Sequence, residues 1–394
     1  MTVHDLPGAE NLPLVAVRNR FARWLFEDAL SFWASTGCDG IASNPAALGA
    51  QECLTLQGTP ALPPFKRVRV QARQLFVFSW AALKGWQPAA ERAESIFRFL
   101  LNAHRPDGGW VKLLARDGAV LDDSADLYDI AFVLFALAWY GRVDRTGQAV
   151  ELARQTLVWL GQTMALPNGG FMNTRPANDA WRQHNPHMHL LEAVLALHET
   201  TGDAADLAQA HALYALFSQH FMDERTGTLG EYFGPDWQPA AGPEGQWCEP
   251  GHHFEWVWLL QAYARQSGVD TAAQAACLYH FAHQYGVDVQ TALVRDAVAR
   301  DGQILKPTFR LWVQGEALRG ALCHDPQDKA GWATRMASNL LDRYFTGCPT
   351  GTWVDQLDAQ GAPAASQIPS SSLYHIVTAY DALDQAARAC VPSA

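Results

Sequence analysis

The sequence predicts an all-α protein: a single (α/α)6 barrel in which outer and inner helices alternate and short β-hairpin loops crowd one rim. Three observations lead there. Helix-period apolar patterns dominate the 394 residues. The patterns are of two kinds, one-faced and apolar all round. The turns between them recur six times.

In the stretch 147–160, Val150, Ala153, Leu157 and Leu160 form a stripe, with Glu151, Arg154 and Gln155 off it. Ile96, Phe97 and Leu100 do the same against Glu94 and Arg98. The stretches 130–140, 190–197 and 254–260 are instead apolar nearly all round. A helix with no wet face is buried on every side, so these are the predicted inner helices. Gly-rich turns with aromatic or β-branched neighbours occur at GCDG (37–40), DGGW (107–110), NGGF (168–171), GTLGEYF (227–233), DGQIL (301–305) and GTWVDQL (351–357). Their starts lie roughly 50 to 75 residues apart, a repeat period of supersecondary size. After each turn a polar cluster opens an apolar helix, at 67–74, 123–132, 183–193, 249–258, 309–318 and 370–380. Closing six such units into a ring places all six clusters on one rim around a central cavity. An open helical solenoid is the competing topology. No Pro- or Ser-rich linker interrupts the pattern, so residues 1–394 are expected to form one catalytic domain.

Composition narrows the function. The chain carries 15 Trp, 10 Tyr and 18 Phe, ample material for a large core. Net charge is −11, and only five basic residues are Lys (66, 84, 112, 306, 329). Nucleic acid and anionic membrane surfaces are therefore poor partners. The seven cysteines are scattered without a C-x-x-C pair, which suits a reducing compartment and excludes a zinc ribbon. The amino terminus shows no basic and apolar leader pattern, and no apolar run approaches the length of a bilayer crossing. A cytoplasmic location is expected.

The polar clusters concentrate His and Glu where the surrounding helix is Leu, Val and Trp. The third holds His184, Asn185, His187, His189 and Glu192; the fourth holds Glu249, His252, His253 and Glu255; the sixth holds Tyr374 and His375. His189/Glu192 and His252/Glu255 are three apart and Trp312/Glu316 four apart, spacings that share a helix face. Burying such groups is costly unless they are paired or used. A single buried His is ordinarily a satisfied core residue, and His184, His253, His104 and His324 are read that way. Three inner helices with His at corresponding places favour a functional reading for His252 and His375. Asp126 and Tyr128 serve equally as cap and packing or as site residues. Arg73, in a helix about to be buried, needs an anion or several acceptors; a structural salt bridge and a substrate clamp both satisfy it. His187-x-His189 looks like a metal-ligand pair, but no third element repeats a ligand spacing, and this pair opens a helix instead of lying on a strand. No metal is expected. A phosphate-binding P-loop is also absent from the sequence.

These clusters are familiar as a set. V-Q-A-R-Q (70–74), D-L-Y-D-x-A-F (126–132), N-P-H-M-H-L-L-E-A (185–193), E-P-G-H-x-F-E-W (249–256), W-x-Q-x-E-A (312–317) and L-Y-H (373–375) resemble the N-acylglucosamine 2-epimerase family. That family includes mannose isomerases, other aldose–ketose isomerases and cellobiose 2-epimerases, and the resemblance runs from about residue 14 to 389. It implies the same (α/α)6 barrel. It carries the family's proton-transfer histidines onto His252 and His375, its essential arginine onto Arg73, and its M-H histidine onto His189, with Asn185 upstream. The glutamates fall on Glu255 and Glu316, beside Glu192, and the substrate-lining aromatics on Tyr128 and Trp312. Two departures stand out. Some isomerases of this type have an Arg about ten residues before the E-P-G-H histidine, where this chain has Ala241, Gly242 and Pro243. The first-repeat G-G-F-x-E reads A-L-G-A-Q-E, so Glu52 is an uncertain match.

The resemblance implies aldose–ketose isomerisation of an unphosphorylated sugar, D-mannose to D-fructose, through a cis-enediolate and without cofactor. In that scheme His252 moves the proton between C2 and C1, His375 opens the ring, and Arg73 and His189 stabilise the oxyanion. A sugar 2-epimerase uses the same residues. Inverting glycosidases share the barrel but need two opposed carboxylates, which a His-rich rim fits badly. A protein-binding role is the third class. The expected partner is a monosaccharide, and a homodimer is allowed.

Overall fold

The computed structural model describes residues 13–39, 49–177 and 180–390. Gly40 of the first turn, Ala47 and Leu48 of the A-L-G-A-Q-E stretch, and the amino-terminal residues 1–12 lie outside that description.

Helices alternate between an outer and an inner layer. The first outer helix comprises α1 (Pro13–Arg23), a π-helical turn (Trp24–Ala29) and α2 (Leu30–Ser35). The chain then runs through inner α3 (Val68–Leu83), outer α4 (Ala89–Leu100), inner α5 (Leu127–Tyr140) and outer α6 (Gln148–Thr163). It continues with inner α7 (Asn185–Thr201), outer α8 (Ala204–Leu216), inner α9 (Pro250–Ser267) and outer α10 (Ala272–Phe281). Inner α11 (Leu311–His324), outer α12 (Trp332–Asn339) and inner α13 (Leu373–Ala389) complete it. Each inner helix packs on the next, and α13 packs back on α3, so the ring is closed and the solenoid alternative falls.

The rim closes by a second mechanism. The short strand leading into each inner helix pairs antiparallel with the hairpin of the following repeat. Phe65–Arg67 pairs with Leu113–Ala115, Ala125–Asp126 with Thr174–Arg175, and Arg182–Gln183 with Tyr232–Phe233. Trp247–Cys248 pairs with Ala297–Ala299, and Phe309–Arg310 with Gln356–Leu357. The last pair, Ile368–Pro369 on Cys53–Leu54, joins the sixth repeat to the first. Each strand is too short to stand alone; six linked pairs hold the openings of the inner helices in one plane.

Side chains staple the hairpins to the helices at a recurring place. Gln71 and Gln314 each bond both backbone groups of one hairpin residue, Ala50 and Val294. His187 and His253 do the same work differently. Each Nε2 accepts a hairpin N–H, from Phe171 and Leu229 respectively, at 3.0 Å, while Nδ1 donates to the carbonyl four residues back. Burial pushes the His187 pKa down to about 4 and that of His253 to about 3, so both are neutral acceptors.

The outer stripe of α6 is rotated from its expected position. Its buried face runs through Ala149, Leu152, Ala153, Thr156, Trp159 and Leu160, and Val150 and Leu157 flank it. Thr156 joins the buried face because its hydroxyl accepts from Trp110 Nε1 at 2.8 Å. A hydroxyl with a partner is as buriable as a methyl.

Candidate functional site

The amino-terminal ends of the inner helices surround a cavity of about 330 Å3, in the lower range of small-molecule sites. Arg73, Tyr128, Asn185, His189, His252 and Glu255 line it, with Trp312 and His375. Eight of the ten residues expected from the sequence therefore meet in one place.

Local sequence explains the positioning. Pro186 and Pro250 start α7 and α9, where a missing N–H costs nothing and φ is already helical. Asp126 caps α5, accepting from the N–H groups of Tyr128 and Asp129 at 3.0 and 3.4 Å. Gly251 lets the Trp312 indole lie against the first turn of α9; a Cβ there would sit 2.7 Å from the ring. Trp312 consequently stands between His252 and His375, with ring centroids 5.0 and 5.5 Å away.

The three imidazoles share one arrangement. Each presents Nδ1 to a buried carboxylate: His189 to Glu192 at 3.1 Å, His252 to Glu231 at 2.9 and 3.0 Å, and His375 to Glu316 at 2.7 Å. A carboxylate at Nδ1 fixes the tautomer and leaves Nε2 for chemistry. Glu192, expected to bind substrate, and Glu316, expected to orient an imidazole or bind a sugar hydroxyl, both lie behind the histidines. Glu192 also accepts from Tyr374 Oη, and Glu316 is held by Arg319 at 2.6 Å. Glu192 lies one turn further along α7 than His189, and Glu316 one turn further along α11 than the cavity-lining Trp312.

The electrostatics separate the two histidines. Burial acts to lower the His252 pKa, but the Glu231 charge and hydrogen bond, with Glu249, hold it above the ordinary value. His375 is driven well below the ordinary value by burial, reinforced by Arg73, His189 and Arg319. His189 is lowered by burial against Glu192. His252 is therefore the imidazole of the site that most readily holds a second proton, and His375 and His189 favour the neutral form. Glu255 is raised well above the carboxylate range by burial and by Glu316 and Glu192, and neither of its oxygens has a protein hydrogen-bond partner. Burial and the neighbouring acids thus favour its protonated form.

Arg73 does not form the structural salt bridge that its sequence allowed. Among the described residues no carboxylate pairs with it. Its guanidinium lies 4.0 Å from the Phe132 ring centroid and 5.2 Å from that of Tyr374, and it donates to Tyr128 Oη at 2.7 Å. A desolvated cation held by aromatic faces is available to an anion in the cavity.

The site has members the sequence did not single out. Glu231 sits in the fourth Gly-rich turn, 21 residues before His252, and its signal was the lone acid in G-E-Y-F. Glu249, Arg310 and Asp355 also line the cavity. Arg310 is bound to Glu249 at 2.8 Å and Asp296 at 3.2 Å. No cavity-lining residue comes from the turn Gly242–Gln246, which carries part of the Ala241–Pro243 departure. Glu52 holds Arg67 and does not line the cavity. His187 and His189 diverge, since residues two apart on a helix lie on opposite sides, and they form no ligand pair.

Among the described residues three His/Glu groups have donor atoms within 4.8 Å of one another: His184–Glu231–His252, His189–Glu192–Glu255 and Glu255–Glu316–His375. Their atoms are geometrically able to approach a cation. In each set, however, a histidine already engages a carboxylate through Nδ1, and burial and its acidic neighbours favour the protonated form of Glu255.

Replacing Glu231 by Gln removes the charge that opposes burial of His252. The His252 pKa then falls, and any step needing its protonated form is lost at lower pH. The expected result for Glu231→Gln is an alkaline limb of the pH–rate profile displaced toward acid by about one unit. A limb that stays in place separates Glu231 from His252 function.

Comparison with known proteins identifies the family. A family model described as N-acylglucosamine 2-epimerase (GlcNAc 2-epimerase) matches residues 49–379. A protein named mannose-6-phosphate isomerase from Rhizobium meliloti (strain 1021) is 32% identical over 377 residues, covering 91% of this chain and 94% of that one. The D-mannose isomerase of Thermobifida fusca is 27% identical over 336 residues, covering 78% and 82%. The solved cellobiose 2-epimerase of Spirochaeta thermophila DSM 6192 has the same fold, with a TM-score of 0.81 at 24% identity over 96% of this chain and 99% of that one. The chain belongs to the N-acylglucosamine 2-epimerase family of sugar isomerases and epimerases.

Proposed function

We propose that the protein interconverts an unphosphorylated aldose and its ketose, with D-mannose and D-fructose as the pair, through a cis-enediolate. The observation that carries this reading is the placing of His252, whose pKa is held above the ordinary value, and His375, whose pKa lies well below it, on either side of Trp312, beside an Arg73 that no carboxylate among the described residues neutralises.

Ring opening moves a proton from the anomeric hydroxyl to the ring oxygen. His252, the imidazolium, gives its proton to the ring oxygen and regains one from the anomeric hydroxyl. His375, the neutral imidazole, takes the C2 proton and returns it to C1, while the O2 proton passes to O1 and C2 becomes the carbonyl carbon. This division reverses the roles first expected from the sequence, and the surrounding charges favour it: Glu231 and Glu249 raise the His252 pKa, whereas burial with Arg73, His189 and Arg319 lowers that of His375. Negative charge developing on the enediolate meets Arg73 and the amino-terminal ends of the inner helices. Neutral Glu255 offers an O–H donor to a sugar hydroxyl.

Two observations favour a sugar without phosphate. Arg310, the other cation lining the cavity, is already bound by Glu249 and Asp296. Glu231, Glu249 and Asp355 also line the cavity, and a phosphate dianion there meets like charge. The name of the Rhizobium relative makes the comparison pointed. The test is incubation, with a chelator present throughout, with mannose, mannose 6-phosphate, lyxose, N-acetylmannosamine and cellobiose, followed by product analysis. Mannose is expected to give fructose at full rate under chelation, with mannose 6-phosphate at least about a hundredfold slower. Turnover of the phosphate ester alone, or loss of activity restored by one divalent metal, defeats the proposal.

A further inference from the structure

The barrel holds a second cavity, of about 610 Å3, built from the carboxy-terminal halves of the inner helices. The catalytic pocket opens at the other ends of the same helices. Between the two lies the layer formed by Glu192, Glu316 and Arg319, and both Glu192 and Arg319 line the second cavity.

Its walls are aromatic, with Trp80, Trp139 and Trp258 prominent. A cation covers each indole: Lys84 at 5.4 Å from Trp80, Arg142 at 4.3 Å from Trp139 and Arg319 at 3.9 Å from Trp258. Lys84 and Arg142 are answered by Asp381 and Glu199, at 2.7 and 3.2 Å. The remaining donors are not fully answered. Arg265, at the mouth, bonds the Gln261 side-chain oxygen at 3.1 Å and forms no ion pair with a carboxylate among the described residues. Arg319 is almost wholly buried, yet among the described residues its Nε has no acceptor, and the buried Nε1 of Trp139 has none either. Buried donors without acceptors are costly, and here two of them belong to residues lining one aromatic cavity with a surplus guanidinium at its edge. In a chain of net charge −11 that surplus is local.

We propose that this second cavity binds a small organic carboxylate with a flat apolar body, and that its occupancy slows turnover through Arg319. The carboxylate pairs with Arg265 at the mouth and with the guanidinium of Arg319 inside, and the apolar body packs against the indoles. Arg319 also holds Glu316, the carboxylate behind His375. An anion that shares this guanidinium loosens the support of His375 without touching the sugar. The coupling therefore lowers kcat and leaves KM for the sugar in place.

Benzoate is the probe and benzamide its uncharged counterpart. Binding is read by thermal shift, which does not depend on any sugar being turned over, and coupling by kcat at saturating sugar. Benzoate at about 10 mM is expected to raise Tm and to lower kcat by about fivefold, while benzamide does neither. Arg265→Glu, an exposed change remote from the catalytic pocket, is expected to keep the unliganded kcat and weaken benzoate at least about tenfold. No thermal shift with benzoate, an equal shift with benzamide, or an unchanged response in Arg265→Glu overturns the site. A benzoate effect that raises KM alone places the anion in the sugar pocket and overturns it too.

Discussion

His375→Ala lowers kcat by at least about a hundredfold and leaves the fold standing. The imidazole is the neutral base of the site, and burial with Arg73, His189 and Arg319 is what keeps it unprotonated. Removing it takes away the acceptor for the C2 proton. Folding is expected to survive because Glu316 keeps its ion pair with Arg319 at 2.6 Å and is not left as a lone buried charge. His252→Ala is expected to act with similar size. Glu231 there still accepts the Glu249 backbone N–H at 3.2 Å. The check is kcat beside the melting temperature. Near-normal turnover in either variant, with melting unchanged, removes that histidine from the reaction.

Arg73→Met is expected to cost about a hundred- to a thousandfold in kcat, the size seen on removing one oxyanion donor. Its effect on stability has the opposite character. A structural arginine leaves a buried carboxylate unpaired when it is removed, and the protein melts early. Among the described residues Arg73 has no such partner; aromatic rings and the Tyr128 hydroxyl surround it. Burying an unneutralised guanidinium is itself a cost of holding a site ready. The melting temperature of Arg73→Met is therefore expected to hold or rise while turnover collapses. A marked fall in melting temperature with kcat intact assigns Arg73 to packing.

The repeat count and the split into inner and outer helices were legible because burial on all sides and burial on one face leave different periodic traces. The ring closure was not. Nothing local in Ile368 or Pro369 says that they pair with Cys53 and Leu54, more than three hundred residues away. The α6 stripe was misplaced because hydropathy counts Thr156 as polar, whereas its hydroxyl is satisfied by Trp110.

The site was legible where a side chain and its helix share a motif, as for His252, His375, Arg73 and Trp312. It was not where the partner comes from another element. Glu231 reaches His252 from a hairpin, and the sequence shows only an acid among glycine and aromatics. Spacing put Glu192 on the face of His189 and Glu316 on that of Trp312, but spacing on a helix gives a shared face and not depth along it. Their place behind the imidazoles became visible only with the neighbouring helices, through Tyr374 and Arg319.

The account rests on a single base, His375, carrying one proton between neighbouring carbons. The most direct test follows that proton: mannose deuterated at C2 is converted in ordinary water, and the product is read by NMR. Deuterium at C1 of fructose, in part exchanged with solvent, is the expected result, since a shielded imidazole returns some of what it takes. Glucose as the first and dominant product, with solvent hydrogen at C2 and fructose only a late minor species, means that two opposed bases act on one carbon. That result contradicts the isomerase account.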